Sequence, residues 1–400
     1  MKLLIIADSF PPMKTSAALH MSDLSFELVK QGHSITVIIP SSSVNKSLKI
    51  ESHNGFRLIS VLTPKAKDMR YIQRAIAEFI SPYIIYYHLR SSSIFKEDFD
   101  GIIWYSPTIF FGPLIYRLKK RFDCGAYLIL RDMFPDWAVD LELMKKGIPY
   151  YLLKFVEFYQ YKVASRIGIQ APANIQYFNC RSLKKFKSKV ELLWTWITPN
   201  SLAAGCSINI KKTHLAGRKI FLYIGNMGVA QDFDLIINMA ELFQNRQDIG
   251  FVFVGRGSEV SRLKSAVDQK AIDNIIFFDE IESAEIPALL SQCSVGLIAL
   301  DPRHKSSNIP GKFLSYIAAG LPVLARLNSG NDLVELIHNN RVGSSYIGSD
   351  AAEFKEIADS LIEELKNDQY ISIRCKDLAS TLFSTKHAAR QIIKGLESLN

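Results

Sequence analysis

The run Lys219-Ile220-Phe221-Leu222-Tyr223-Ile224 stops abruptly at Gly225-Asn226-Met227-Gly228-Val229-Ala230-Gln231. An apolar stretch of strand length, without polar alternation, is what a strand buried on both faces requires. The glycines that follow let the chain turn tightly, and Phe233–Phe243 then reads as a helix. Moving outward, the same unit recurs. Gly250–Val254, Asn274–Phe278, Ser294–Leu300 and Pro322–Ala325 read as strands, with helical patterns at Ser258–Lys270, Ala284–Leu290 and Lys312–Ala319 between them. Toward the N-terminus the rhythm repeats: strands at Lys2–Ala7, Ser34–Ile39, Phe56–Leu62, Gly101–Trp104 and Ala126–Leu130, with helices up to Gln31, at Arg70–Arg90 and at Thr108–Arg121. Repeated strand–helix–strand units imply parallel sheets covered by helices. The expected fold is α/β, two Rossmann-like domains facing across a cleft. The expected division is 1–195, a linker at 196–218, a second domain at 219–370, and a C-terminal helix at 371–400 that packs back on the first domain.

A chain of 400 residues, 48% hydrophobic and 22% charged, is too apolar for disorder and too charged for a polytopic membrane protein. The net charge is +9, and it is unevenly spread. Residues 1–195 hold 27 basic and 16 acidic side chains, and residues 196–400 hold 21 and 23. A basic half points to an anionic partner. Nucleic acid is the weakest candidate, because no recognisable binding module or repeated basic–aromatic interleaving is present. The five cysteines are scattered without a C-x-x-C pair, which speaks against a zinc site or disulfide framework and fits a reducing cytoplasm. Leu3–Ala7 is too short for a secretory signal, and no run reaches the length of a spanning helix.

In open α/β sheets, ligands bind beyond the carboxyl ends of the strands. After the first strand, Asp8–Ser16 contains Lys14, Thr15 and Ser16 at a helix start, suited to an anion or sugar hydroxyl, or simply to a helix cap. No G-x-G-x-x-G follows, so a dinucleotide site there is not expected. Gly225, Asn226, Gly228 and Gln231 after one strand, and Gly255 and Arg256 after the next, suit a phosphate cradle with a cation, or else tight strand–helix turns. Arg303–Lys312 is a basic loop that enters a helix at Pro310-Gly311-Lys312. Lysine in a first turn opposes the helix dipole, which favours an anionic ligand beside Lys312.

With these segments quoted, the chain resembles the family-four retaining glycosyltransferases of the GT-B fold, and within them a WbuB-like branch of bacterial N-acetyl-L-fucosamine transferases of O-antigen and capsule assembly. The likeness runs through Phe10-Pro11-Pro12, Gly32-His33-Ser34-Ile35-Thr36-Val37, Arg131-Asp132-Met133-Phe134-Pro135-Asp136, Tyr223–Gln231, Val254-Gly255-Arg256-Gly257, and Pro310-Gly311-Lys312 through Ala319-Gly320-Leu321-Pro322-Val323. The resemblance implies a metal-independent hexosyl transfer from a UDP-sugar to a lipid-diphosphate-linked glycan, with no cofactor. It implies donor contacts from Gly225, Asn226, Gly228, Gln231, Gly255, Arg256, Phe278, Ser307, Lys312 and Ser315, with Lys312 on the diphosphate, Ser315 near the ribose and Phe278 near the base. It implies acceptor contacts from Lys14, Thr15, Ser16, Arg131 and Asp132, and catalytic roles for Asp132 and Lys312. The chain also departs from the family. The two glutamates usual at the donor helix, eight positions apart, fall on Ser307 and Ser315, and the usual His-Asp pair is Arg131-Asp132.

Two stretches bear on location. Arg70–Arg90 places Ile72, Ile76, Phe79, Ile80, Tyr83 and Tyr87 on one helical stripe, and Tyr150–Ala164 does the same with Leu152, Phe155, Val156, Tyr159 and Val163. Basic amphipathic helices of this kind lie either against a core or on an anionic bilayer. The expectation is a cytoplasmic protein held peripherally on the inner face of the membrane. Competing functions are a UDP-sugar 2-epimerase of the same fold and a catalytically inactive membrane scaffold.

Overall fold

The computed structural model describes residues 1–13, 15–66, 69–106, 108–140, 142–198, 205–301 and 309–398. It divides into two units, Met1–Trp196 with Thr385–Asn400, and Ile197–Ser384.

The first unit contains β1 (Lys2–Ile6), α1 (Ser16–Lys30), β2 (Ser34–Ser41), β3 (Leu48–His53), β4 (Phe56–Leu62), α2 (Tyr71–Arg90), β5 (Gly101–Ser106), α3 (Gly112–Phe122), β6 (Gly125–Leu130), α4 (Asp136–Asp140), α5 (Ile148–Val163), β7 (Arg166–Ile169) and β8 (Val190–Leu192). Its sheet runs β3-β4-β2-β1-β5-β6-β7-β8. Every pairing is parallel except β3–β4, an antiparallel hairpin closed by Asn54-Gly55, both at positive φ. Leu3 pairs with both Ile35 and Gly101, so β1 is the centre from which strand order departs in both directions. The carboxyl ends of β1 and β5 flank that switch point, where ligands bind in folds of this class. Apolar strands β1, β5 and β6 are buried along nearly their whole length, as their lack of alternation requires.

The second unit contains β9 (Lys219–Ile224), α6 (Asp234–Glu241), β10 (Ile249–Val254), α7 (Val260–Gln269), β11 (Ile275–Phe278), α8 (Ile286–Leu290), β12 (Val295–Ala299), α9 (Gly311–Ala318), β13 (Val323–Arg326), α10 (Asp332–Asn340), β14 (Gly343–Tyr346), α11 (Ala351–Asn367) and α12 (Ile371–Leu382). Its sheet is wholly parallel in the order β11-β10-β9-β12-β13-β14. Here the switch point lies at the ends of β9 and β12. The last helix, α13 (Thr385–Glu397), returns to the first unit, where Ala388, Ala389, Ile392 and Leu396 join the core of Leu3, Ile5, Ile103 and Tyr127.

Two organisational expectations are corrected. Residues 205–218 are not a free linker: Ile208, Ile210 and Leu215 are buried, and Ile210 N–H donates to Gln292 Oε1 at 2.9 Å, so this stretch is part of the second unit. Residues 371–400 are not one helix. α12 packs against α9, with Ser372 and Lys376 lying over Gly320, and only α13 joins the first unit. The α/β class and two Rossmann-like sheets stand as read.

Candidate functional site

The second unit gathers its candidates around the ends of β9, β10, β11 and β12. Lys312 is the second residue of α9, and its ammonium lies 4.6 Å from the centre of the Tyr223 ring. No carboxylate among the described residues pairs with it, and burial pulls its pKa from 10.5 to about 8. A partly shielded cation without a counter-charge is an electrostatic cost in the empty protein, and a ready partner for an anion. Gly225, at φ +123, leaves the space beside it open to the lysine: a Cβ there would lie 3.9 Å from Lys312 Cε. Tyr316 fixes this arrangement from below. Its hydroxyl accepts from Ile224 N–H at 3.1 Å and faces Leu222 O at 3.2 Å, while its ring covers Gly296 so closely that a Cβ would sit 2.4 Å away.

The glycine loops pack on one another. Gly225 N–H donates to Val254 O, Met227 N–H to Arg256 O and Gly255 N–H to Phe278 O. Gly228 N–H is capped by Gln231 Oε1 at 2.8 Å. Gly255 and Gly257 sit at φ +144 and +154, where a Cβ would lie 2.0 Å from Gly225 O and 2.1 Å from Met227 O. These glycines let two loops pack backbone on backbone. Gln231 is engaged in the cap, and Asn226, exposed at the turn, accepts through its carbonyl from the Tyr223 hydroxyl at 2.7 Å. Arg256 is 80% exposed and pairs with Glu280 at 3.3 Å. Ser315 Oγ donates back to Gly311 O at 3.3 Å, on the same helix as Lys312. Phe278 lies in a concavity of about 480 Å³ with Ser207, Asn209, Lys212, Asp279 and Glu280. Ser307 lies outside the described residues, as do Arg303 and Lys305.

Arg326 was not anticipated. It ends β13, is 2% exposed, pairs with Asp232 at 3.2 Å and donates to Leu300 O at 2.5 Å. It thus ties the loop after β9 to the loop after β12 at the switch point. A charged residue closing the apolar strand Val323-Leu324-Ala325 was the available signal.

In the first unit, Thr15 takes the cap role: its Oγ1 accepts from Ala18 N–H at 3.2 Å. Ser16 and Arg131 do come together, since one Arg131 nitrogen donates to Ser16 Oγ at 3.0 Å and to the Tyr105 hydroxyl at 2.9 Å. Burial pushes the Tyr105 phenol up to about 12, Arg131 opposes the rise, and the charges of Asp132 and Asp8 add to it. Asp132 therefore stands among Arg131, Tyr105 and Asp8 at the ends of β1, β5 and β6. His20 on α1 faces the same group. Burial, with Arg131 nearby, lowers its pKa to about 3, so it is neutral. Its ring lies 5.4 Å from Trp196, and its Nδ1 is buried without a hydrogen-bond partner among the described residues. Neither His20 nor Tyr105 stood out in the sequence, because neither follows a strand in a motif-like loop. Lys14 lies outside the described residues. No cluster of three or more metal-ligating side chains occurs among the described residues.

The helical stripes diverge. On α2, the side chains of Ile72, Ile76, Phe79, Tyr83 and Tyr87 are at least 40% exposed, so this stripe does not face a core. On α5 the expected stripe is broken: Leu152 and Phe155 are exposed, whereas Val163 is buried. The reason is polar. Glu157 is fully buried, pairs with Lys154 and accepts from Tyr161 and Tyr177, while Lys154 also holds Asp136 at 2.8 Å. With that network on the inner side, Tyr151, Leu152 and Phe155 point outward. No helix among the described residues is long and apolar enough to cross a membrane.

Residues 218–366 match the family model described as glycosyl transferases group 1. Among curated proteins, the chain is 24% identical over 309 residues to WbjE of Pseudomonas aeruginosa, named as a glycosyltransferase, covering 75% of this chain and 74% of that one. It is 21% identical over 342 residues to WcaI of Escherichia coli K12, named as a colanic acid biosynthesis glycosyl transferase, covering 80% and 82%. Among solved structures, Anabaena HepE in complex with UDP superposes with a TM-score of 0.68 at 13% identity, covering all of both chains. The chain thus has the two-sheet α/β architecture of the GT-B fold, its residues 218–366 match the group 1 glycosyl transferase model, and it is distantly similar to two proteins named as glycosyltransferases.

Proposed function

We propose that this protein transfers a sugar, with retention, from a UDP-linked donor to a lipid-diphosphate-linked glycan at an anionic membrane surface, in the assembly of a surface polysaccharide. The observation that carries the donor half is Lys312. It is a shielded ammonium at a helix start, beside the open side of Gly225, with no described carboxylate to neutralise it. A diphosphate supplies the missing charge, and the same contact strengthens as the nucleotide leaves and its terminal oxygen gains charge. The amides of Gly311 and Lys312, at the positive end of α9, point the same way. The concavity holding Phe278 and Lys212 accommodates the base, and Ser315 reaches toward the ribose. The HepE complex shows UDP in a protein of this fold, which supports the choice of nucleotide.

On the acceptor side, Asp132 orients the incoming hydroxyl and Arg131, held by Ser16 and Tyr105, fixes the loop. N-acetyl-L-fucosamine is the sugar that the resemblance suggests. The test is calorimetry with UDP and UDP-sugars, followed by transfer assays. Wild type should bind UDP, and Lys312→Ala should lose binding while Asp132→Asn binds normally and fails to transfer. UDP binding unchanged in Lys312→Ala would overturn the reading. Donor binding with neither hydrolysis nor transfer would favour the inactive scaffold, and UDP-sugar isomerisation without an acceptor would favour the epimerase.

A further inference from the structure

The carboxyl ends of β5 and β6 carry a second feature besides Asp132. A cavity of about 290 Å³ opens there, lined chiefly by Ala75, Phe110, Phe134, Trp137, Leu143 and Leu153, with the Arg74–Glu78 ion pair also in its wall. It is bounded by α2 on one side and by α4 and α5 on the other, and Phe134 is two residues from Asp132. Its surroundings are unusually apolar for a surface. Leu143, Ile148, Tyr151, Leu152 and Phe155 are each more than 60% exposed, and the exposed stripe of α2 continues them. Contiguous exposed apolar area of this kind marks an interaction site. Charge follows directly in the chain. Lys145 and Lys146 directly follow Leu143-Met144 and are exposed, with no carboxylate recorded against either among the described residues.

We propose that this cavity takes the first segment of the acceptor's hydrocarbon chain, with Lys145 and Lys146 meeting the phosphate that joins chain to glycan. The inference deepens the proposed transferase reading and rests on it for the identity of the lipid. Three observations converge on this occupant. The cavity is mostly apolar, as a hydrocarbon requires, and the carboxylate in its wall, Glu78, is paired with Arg74. Two exposed cations directly follow its lining residues Leu143 and Met144 in the chain, as an anionic head requires. Its wall residue Phe134 is two positions from Asp132 in the chain, so a chain anchored there brings its head toward the residue that orients the acceptor. At the small end of the ~300–1,000 Å³ typical of ligand pockets, the cavity holds part of a chain, leaving the rest to the bilayer against α2.

Trp137 makes the test direct. The full-length protein, without vesicles, is titrated with dodecyl phosphate brominated at its chain end, below its micellar concentration. Saturable quenching of tryptophan emission is expected, and Trp137→Phe should remove it. Ala75→Phe fills the cavity from an exposed helix position and should weaken the quenching about tenfold or more. Leu143→Glu sets a carboxylate at the mouth and should weaken it as well. Quenching that is absent, or unchanged in both filling and charge variants, would overturn the proposal. So would quenching by brominated phospholipid vesicles alone, which would make this face a bilayer contact without a chain site. UDP binding is measured on the same samples. If UDP binds and the alkyl phosphate does not, only the chain site fails. If the alkyl phosphate binds and no nucleotide does, the transferase reading fails and the lipid site remains.

Discussion

Burial holds the Lys312 ammonium at a pKa of about 8, below the ordinary 10.5, and the sign of that shift has two consequences. Between these values the unfolded chain binds a proton that the folded one does not, so this residue makes stability rise with pH across that window. Removing the charge should therefore help the empty protein. Lys312→Met is expected to stabilise it by about 1–2 kcal/mol at pH 7, a figure reduced from the full shift because some solvent still reaches the side chain. The same variant should abolish UDP binding. Chemical denaturation and calorimetry on one preparation check both, and a Lys312→Met protein that is less stable than wild type would show that the lysine is a structural residue. The second consequence concerns the ligand. A diphosphate needs the protonated form, so UDP affinity should be full below pH 8 and fall above it by up to about tenfold per pH unit. A flat profile from pH 7 to 9.5 would contradict the role given to Lys312.

At the scale of elements, α2 is the informative helix. Its two faces carry similar residues and differ only in what they meet. Ile85 and Leu89 are buried in the core with Ile102, Leu114 and Ile115, while Ile72, Ile76 and Phe79 are open to solvent. Replacing Ile72 and Ile76 with serine should change stability within about 0.5 kcal/mol each, since nothing packs over them, and should cut retention on anionic vesicles severalfold. Leu89→Ser should instead cost about 2–5 kcal/mol through the cavity it leaves. Equal destabilisation by all three changes would mean that the stripe is covered in the native protein.

The same contrast explains what could be read from the sequence. Long apolar runs such as Lys219–Ile224 and Gly250–Val254 announce buried parallel strands, because periodicity reports burial. The stripe of α2 was legible as a stripe, but periodicity alone does not say whether a core or a lipid lies against it. The α5 stripe misled because one buried ion pair, Lys154–Glu157, left Leu152 and Phe155 exposed, and a tertiary partner such as Asp136 is invisible to local pattern. The hairpin of β3 and β4 went unread although Asn54-Gly55 is a strong turn signal, since the polar Leu48–His53 lacks strand-like composition. At the site, Lys312 stood out through its conflict with the helix dipole. The glycines suit ligand binding and loop packing alike, because both uses demand the same missing Cβ, and the structure shows the packing. Arg326 in the second unit, and His20 and Tyr105 in the first, each meet their own partners only in three dimensions.

At the scale of the whole chain, the structural boundaries sharpen the charge asymmetry. With α13 and its flanking residues assigned to the first unit, that unit holds 30 basic and 17 acidic side chains, and the second holds 18 and 22. The two halves should therefore respond differently to salt. The surface lysines and arginines of the first unit act over distances comparable to the Debye length, ~10 Å at 0.1 M, and each near an anionic surface contributes about 1 kcal/mol. Retention of the full-length protein on vesicles rich in phosphatidylglycerol should thus fall steeply as salt rises from about 0.05 to 0.5 M. In the proposed function, UDP binding rests chiefly on one shielded cation at the start of α9, which salt screens far less. Its affinity should fall only severalfold over the same range. Co-sedimentation and calorimetry in matched buffers measure the two curves. If they decline in parallel, the second unit's binding is as diffuse as the first's, and Lys312 is not its anchor. If vesicle binding ignores salt, the basic surface is not what meets the membrane, and the exposed apolar residues of α2 and α5 hold it alone.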